Sequence, residues 1–357
     1  MACWFCIGDD TGHTRLDLPI SGRYCRHMNR RFGFLFLVAA AVVLFPFRAP
    51  APLFYVPGEG WYYELYGQNT KWQRTRAKEQ LDVAEQAFAK NDYNTTLHAA
   101  HRVLRVWPLS DYAPDAEYLI GRCLEATGND EAAFKAYQNI IEKYPRSSRY
   151  EEVLWRQYEI ANRFFGGKRF RIFWGYLPLY RSMSQTAQMF DKVVNNGPYS
   201  DIAAHAQLRI GAAREKQKNY PEAVKAYATA ADRYYNLPAI ASDARFREGI
   251  SYARQAAKAE YDQNTAVQAI ATFTDFITLY PDDKRVPQAE KAIAVLKAEQ
   301  VRGNFEIAQF YEKSKKWNGA LVYYNEVLQL DPNSPYAASA RQRIEALKPR
   351  VQASTAN

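Results

Sequence analysis

The sequence is poor in the residues that do chemistry. It holds four cysteines and five histidines in 357 residues. Cys3, Cys6 and Cys25 crowd into its start, and with His13 and His27 they imitate a zinc cluster in composition only. They stand in a stretch without helical or strand pattern, so no metal site and no disulfide framework is expected. His98 and His101 share a helical face but lack a third ligand. Gly166, Gly167 and Lys168 have neither the spacing of a phosphate loop nor a strand before them. No nucleophile elbow, paired-carboxylate motif or dinucleotide fingerprint occurs. Runs of alternating β-branched residues are missing, which argues against a sheet-based fold. The one long apolar run, residues 32–47 (FGFLFLVAAAVVLFPF), is short of the ~20 residues of a membrane-spanning helix. No cysteine stands immediately after it, so lipid attachment there is not expected. These absences point away from an enzyme, and no cofactor is expected.

Charge is present but diffuse. The net charge is +9, and residues 1–51 supply +3 of it through six arginines against three aspartates, leaving +6 elsewhere. Positive and negative residues interleave along the chain, as on solvated helix faces. Nucleic-acid binding would want a denser cluster.

The apolar run has the anatomy of an export signal. Arg30 and Arg31 precede it, and Arg48, Ala49, Pro50 and Ala51 come after it. Translation is expected to start at Met28. Residues 1–27 then form a non-native or disordered extension, and residues 28–51 a signal peptide or an uncleaved signal anchor. Either way the rest of the chain would reach the periplasm of a bacterial cell. Residues 52–70, rich in glycine, proline and aromatics, read as an extended arm laid against the start of the segment beyond residue 70.

That segment is built on a frame repeated six times: a small residue, an aromatic four later, an apolar residue three after that, and usually a proline five further on. Ala133, Tyr137, Ile140 and Pro145 show it most clearly. The aromatic positions of the later copies are Phe190, Tyr227, Phe273 and Tyr324, and Ala100 replaces the aromatic in the first. Offsets of four and three lie on one helical stripe, and the proline ends the helix. Ala84, Gly121, Gly211 and Ala308 stand twelve residues before their copies' small residues. They mark a preceding helix that packs closely on the first. Each unit is therefore two antiparallel helices, A and B, in the pattern of the tetratricopeptide repeat. The fold expected is an all-α solenoid of about six helical hairpins over residues 71–347, with an insertion at 166–182. Its last helix should cap the stack, before a disordered tail at 348–357.

A binding role suits such an array better than catalysis. In its register Lys78, Glu85, Tyr118, Arg122, Tyr158, Asn162 and Phe165 fall on the A-helix groove. Asn would bond a peptide's backbone, Arg its carboxylate, and the aromatics its apolar side chains. The alternative is that they only fill the interior of the superhelix. The insertion offers a second surface, where Lys168, Arg169 and Arg171 interleave with aromatics including Trp174. A lid over the groove or a partner contact is favoured there over a membrane contact.

The segments 140–148 (IIEKYPRSS), 276–283 (FITLYPDD) and especially 306–340 (EIAQFYEKSKKWNGALVYYNEVLQLDPNSPYAASA) resemble the BamD family, tetratricopeptide subunits of the outer-membrane β-barrel assembly machine. Periplasmic repeat proteins of the CpoB type share these motifs. The BamD resemblance implies a scaffold that docks on a barrel-inserting outer-membrane subunit and recognises unfolded outer-membrane proteins. It would be associated with the outer membrane through that partner or the signal anchor. The CpoB resemblance implies an adaptor for cell-wall or division machinery.

Overall fold

A computed structural model describes residues 53–63, 72–172, 177–258 and 263–355. Thirteen helices among them form six antiparallel hairpins and a closing helix. Repeat one is α1 (Ala77–Ala89) and α2 (Tyr93–Val106); repeat two is α3 (Ala113–Ala126) and α4 (Asp130–Lys143). Repeat three is α5 (Tyr150–Phe165) and α6 (Met183–Asn196); repeat four is α7 (Asp201–Lys216) and α8 (Tyr220–Arg233). Repeat five is α9 (Pro238–Lys258) and α10 (Gln263–Leu279); repeat six is α11 (Val286–Lys313) and α12 (Trp317–Leu330). Helix α13 (Ala337–Thr355) closes the array.

Local chemistry sets the hairpins. The A–B turns place Asn91, Gly128, Lys218 and Lys315 in the left-handed region, at φ of 59°, 76°, 59° and 60°. The next residue's N–H then bonds back to a carbonyl in the last turn of the A helix, as Asp92 to Ala87 and Asn129 to Leu124 do at 2.9 and 2.8 Å. That reversal satisfies carbonyls the helix end would otherwise leave open. Asp92, Ser182 and Ser200 cap α2, α6 and α7 by accepting N–H bonds from the first turn.

The small residues do what their spacing implies. A Cβ built on Gly211 would lie 2.5 Å from the Tyr227 ring, and one on Gly249 2.7 Å from the Phe273 ring. The aromatics of the B helices fill the space so created. Tyr137, Phe190, Tyr227 and Phe273 are fully buried, and Tyr324 nearly so. Most of the driving force is this apolar burial between neighbouring helices.

Three expectations need correction. Strands do occur. β1 (Leu53–Val56) and β2 (Gly60–Tyr63) form a hairpin within the expected arm. Its turn uses positive φ at Gly58 and Gly60 and docks on the loop after α2, where Asp111 N–H donates to Gly58 O at 2.8 Å. The insertion forms a second hairpin, β3 (Phe170–Ile172) and β4 (Leu177–Tyr180). Two-stranded ribbons this short carry too few residues for a visible alternation. The third correction concerns the tail: α13 runs to Thr355 through Pro349. Leu347 is buried and Arg350 lies 5.1 Å from the centroid of the Trp317 ring, so the helix's last turns have packing partners.

Among the described residues no helix is long and apolar enough to cross a membrane. The apolar run 32–47, the first three cysteines and Trp174 lie outside them.

Candidate partner-binding surfaces

On the A helices of repeats two and three a charged network surrounds one phenol. Tyr118 is 5% exposed. Its hydroxyl donates to Glu152 and accepts from Arg122 Nη1 and Arg156 Nε, both at 3.1 Å. The Arg149 guanidinium sits 4.5 Å from its ring centroid, close enough for a cation–π contact. Arg149 pairs with Asp115 and Glu152, Arg156 with Glu125, and Arg163 with Glu125 and Asp130. Lys168 completes the chain at 2.5 Å from Asp130, whose side chain is fully buried. Burial opposes the charge of Glu152, yet the Tyr118 hydroxyl, Arg149 and Arg156 hold its carboxyl below the usual range. Glu85 moves the other way: burial, then Asp82 and Asp115, push its carboxyl up.

The seven residues assigned to the groove from sequence separate into groups. Tyr118 and Arg122 meet directly, and Glu85 stands within the field of Asp115 and Arg149. Lys78 is exposed and apart. Tyr158 and Phe165 turn toward Phe190 of their own repeat, at centroid distances of 5.8 and 6.3 Å. Asn162 buries its Oδ1 without a hydrogen-bond partner. Arg122 makes no ion pair among the described residues. It lies over Phe88 at 5.5 Å and is the cation of this cluster with charge to spare.

Of the insertion residues, Lys168 is spent on Asp130, Arg169 is exposed, and Arg171 lies on β3. Phe170 stacks on Phe164 at 4.3 Å. It also lines a cavity with Phe134 of α4 and Met189 of α6. The base of this hairpin is therefore seated between the A helix α5 and the B helices α4 and α6.

Sequence reasoning missed a device that recurs in alternate repeats. Tyr137, Tyr227 and Tyr324 donate to Glu125, Glu215 and Glu312 at 2.6, 3.0 and 2.9 Å. Each glutamate also pairs with an arginine from the following A or closing helix: Arg156 and Arg163, Arg254, and Arg343. Burial first, with the neighbouring glutamate's help, pushes the Tyr137 and Tyr227 phenols far above their ordinary range. The signal was readable, since each glutamate stands twelve residues before its tyrosine.

Groups for chemistry are sparse here. Among the described residues no three or more His, Cys, Asp or Glu gather as metal ligands would. The Cys123 thiol is buried, and burial pushes it up to about 11, far from the thiolate a nucleophile needs.

Residues 115–147 match the tetratricopeptide repeat family, and residues 180–331 match the family described as outer membrane lipoprotein, YfiO. Residues 180–331 are thus BamD-like. That likeness covers the B helix of repeat three and the hairpins of repeats four, five and six. Both families are protein-interaction scaffolds, and the second is described as an outer membrane lipoprotein family. No curated protein matches the sequence. Among solved structures, the C-terminal part of a tetratricopeptide repeat protein from Cytophaga hutchinsonii is 15% identical, with a TM-score of 0.34, over 74% of this chain and 87% of that one. A tetratricopeptide repeat protein from Parabacteroides merdae is 9% identical, with a TM-score of 0.32, over 76% and 98%.

Proposed function

We propose that this chain is a periplasmic scaffold of outer-membrane protein assembly with no catalytic role of its own. Its first three repeats take client peptide segments, and its last three hold a partner subunit. The match of residues 180–331 to the outer membrane lipoprotein family carries the reading. The apolar run at 32–47 supports export, with attachment to the membrane through that segment or through the partner. For the client surface the support is Arg122. Its neighbours Arg149 and Arg156 are neutralised by carboxylates, whereas Arg122 has only aromatic and hydroxyl contacts. An unpaired guanidinium beside Phe88 suits a peptide carboxylate next to an aromatic residue.

Two measurements test this. Crosslinking in intact envelopes should recover a barrel-inserting subunit with the full chain; recovery of peptidoglycan enzymes alone would overturn the assembly role. Arg122→Glu should weaken binding of aromatic-ended peptides about tenfold or more, through the reversed charge. Unchanged affinity in the folded variant would refute the client surface.

A further inference from the structure

Toward the other end of the array, a groove lies between α9 and α11. A cavity of about 870 Å³ opens there, with Ala253, Ala256, Ala292 and Val295 among its walls. Register explains why. Four residues after the small residue of their A helices, repeats one and three carry Phe88 and Phe165. A cation of the next A helix covers each ring: Arg122 at 5.5 Å from Phe88, and Lys216 at 3.6 Å from Phe165. In repeat five the same position, four after Gly249, is Ala253. The aromatic that closes the seam elsewhere is absent, and the space it would occupy remains.

Two further features are hard to explain as packing. Gln300 lines this cavity at 8% exposure yet its amide makes no hydrogen bond among the described residues. Its amide is therefore available to pair with whatever enters the cavity. Gly303 also lines the cavity, in the middle of α11. A Cβ there would meet only Gln263 Nε2, at an ordinary 3.5 Å. Gly211 and Gly249 are forced by aromatic rings; no neighbour forces Gly303. A glycine inside a helix is unfavourable, and what it provides is bare backbone for a close approach.

The protein also shows how such an amide is used. Gln80 of α1 accepts from the backbone N–H of Arg74 at 2.8 Å and donates to the backbone carbonyl of Trp72 at 3.1 Å. One A-helix glutamine thereby holds a non-helical strand of chain by two bonds.

We infer that the α9–α11 groove binds an extended, apolar segment of a partner protein, with Gln300 pairing to its backbone amide and an apolar side chain entering the space left at Ala253. The backbone runs past Gly303. An extended segment is favoured over a helix because a helix has already used its amide groups, leaving Gln300 unpaired. This gives a chemistry to the partner half of the scaffold, and rests on that reading only for who the partner is.

The test uses the full chain and a fluorescent, end-capped peptide of alternating threonine and leucine, read by anisotropy. End caps remove the terminal charges that the Arg122 surface would select, so the two sites fail separately. The wild type should bind the capped peptide. Ala253→Phe, which restores the aromatic of repeats one and three, should abolish binding while leaving the protein folded. Gln300→Leu, close in shape but without the amide, should weaken it about tenfold, as should N-methylation of the peptide's central amides. Arg122→Glu should leave it unchanged. Undiminished binding to either groove variant would overturn the proposal. So would tighter binding of a helix-locked peptide of the same composition, or of a fluorescent fatty acid, since these need no backbone partner. No binding by the wild type would overturn it as well.

Discussion

Odd and even repeats of this array share one backbone frame and close it in two different ways. In repeats two, four and six the B-helix aromatic is a tyrosine. Its buried hydroxyl needs an acceptor, and Glu125, Glu215 or Glu312 supplies it. A mostly buried carboxylate in turn needs a cation, and the next helix provides an arginine. In repeats one, three and five that residue is Ala100, Phe190 or Phe273. No hydroxyl is buried, no acid is required, and the glutamate's position holds Phe88, Phe165 or Ala253. Choosing one atom, the phenolic oxygen, thus fixes the identity of two more side chains on two other helices. The odd repeats carry no such chain of obligations. Repeat five shows the consequence, because there the position shrinks to alanine and a groove opens.

The largest expected effect comes from breaking the feature both classes share. Gly211→Ala puts a methyl 2.5 Å from the Tyr227 ring. The ring is fully buried and tied to Glu215, so it has no room to yield. A loss of about 1–3 kcal/mol is expected, seen as a lower urea midpoint. An unchanged midpoint would mean that the close A–B approach is not what the frame selects for.

A smaller effect is the coupling exposed by converting one class into the other. Glu312→Phe leaves the Tyr324 hydroxyl and Arg343 without their acceptor, at about 1–3 kcal/mol. Tyr324→Phe alone removes one donor at roughly 1 kcal/mol. Together they rewrite repeat six as an odd repeat, with Arg343 free to lie over the new ring as Arg122 lies over Phe88. The double variant should therefore be more stable than the sum of the singles implies, by about 1 kcal/mol in a thermodynamic cycle. Additivity would show that tyrosine, glutamate and arginine are independent contributors and not a coupled lock.

How much of this was legible depends on the kind of contact involved. Helix register was legible because Ala133, Tyr137 and Ile140 sit on one stripe, and the chain repeats the stripe often enough to exclude chance. Tyr118 was legible as an A-helix residue but not as a buried one. Its surroundings depend on Arg149 and Glu152, more than thirty residues away, and one sequence carries no sign of that pairing. The groove at Ala253 was illegible for a related reason. An alanine there reads as an ordinary small helix residue until Phe88 and Phe165 are set beside it in register, and that register is obscured because Gly249 stands twenty residues before its copy's small residue, Ala269, and not twelve.

The smallest effect is the one that best separates forced glycines from free ones. Gly303→Ala adds a methyl that meets nothing closer than Gln263 Nε2 at 3.5 Å. The gain in helix propensity, about 0.5–1 kcal/mol, should appear as a slightly higher urea midpoint, opposite in sign to the change at Gly211. If Gly303→Ala instead destabilises, the helix backbone there is strained or crowded in a way the contacts do not show, and Gly303 then ceases to be support for a ligand passing close to α11. If it stabilises and also weakens the capped peptide, one residue will have been shown to trade helix stability for room at the groove. Glycine at this place then has a reason that packing alone does not supply.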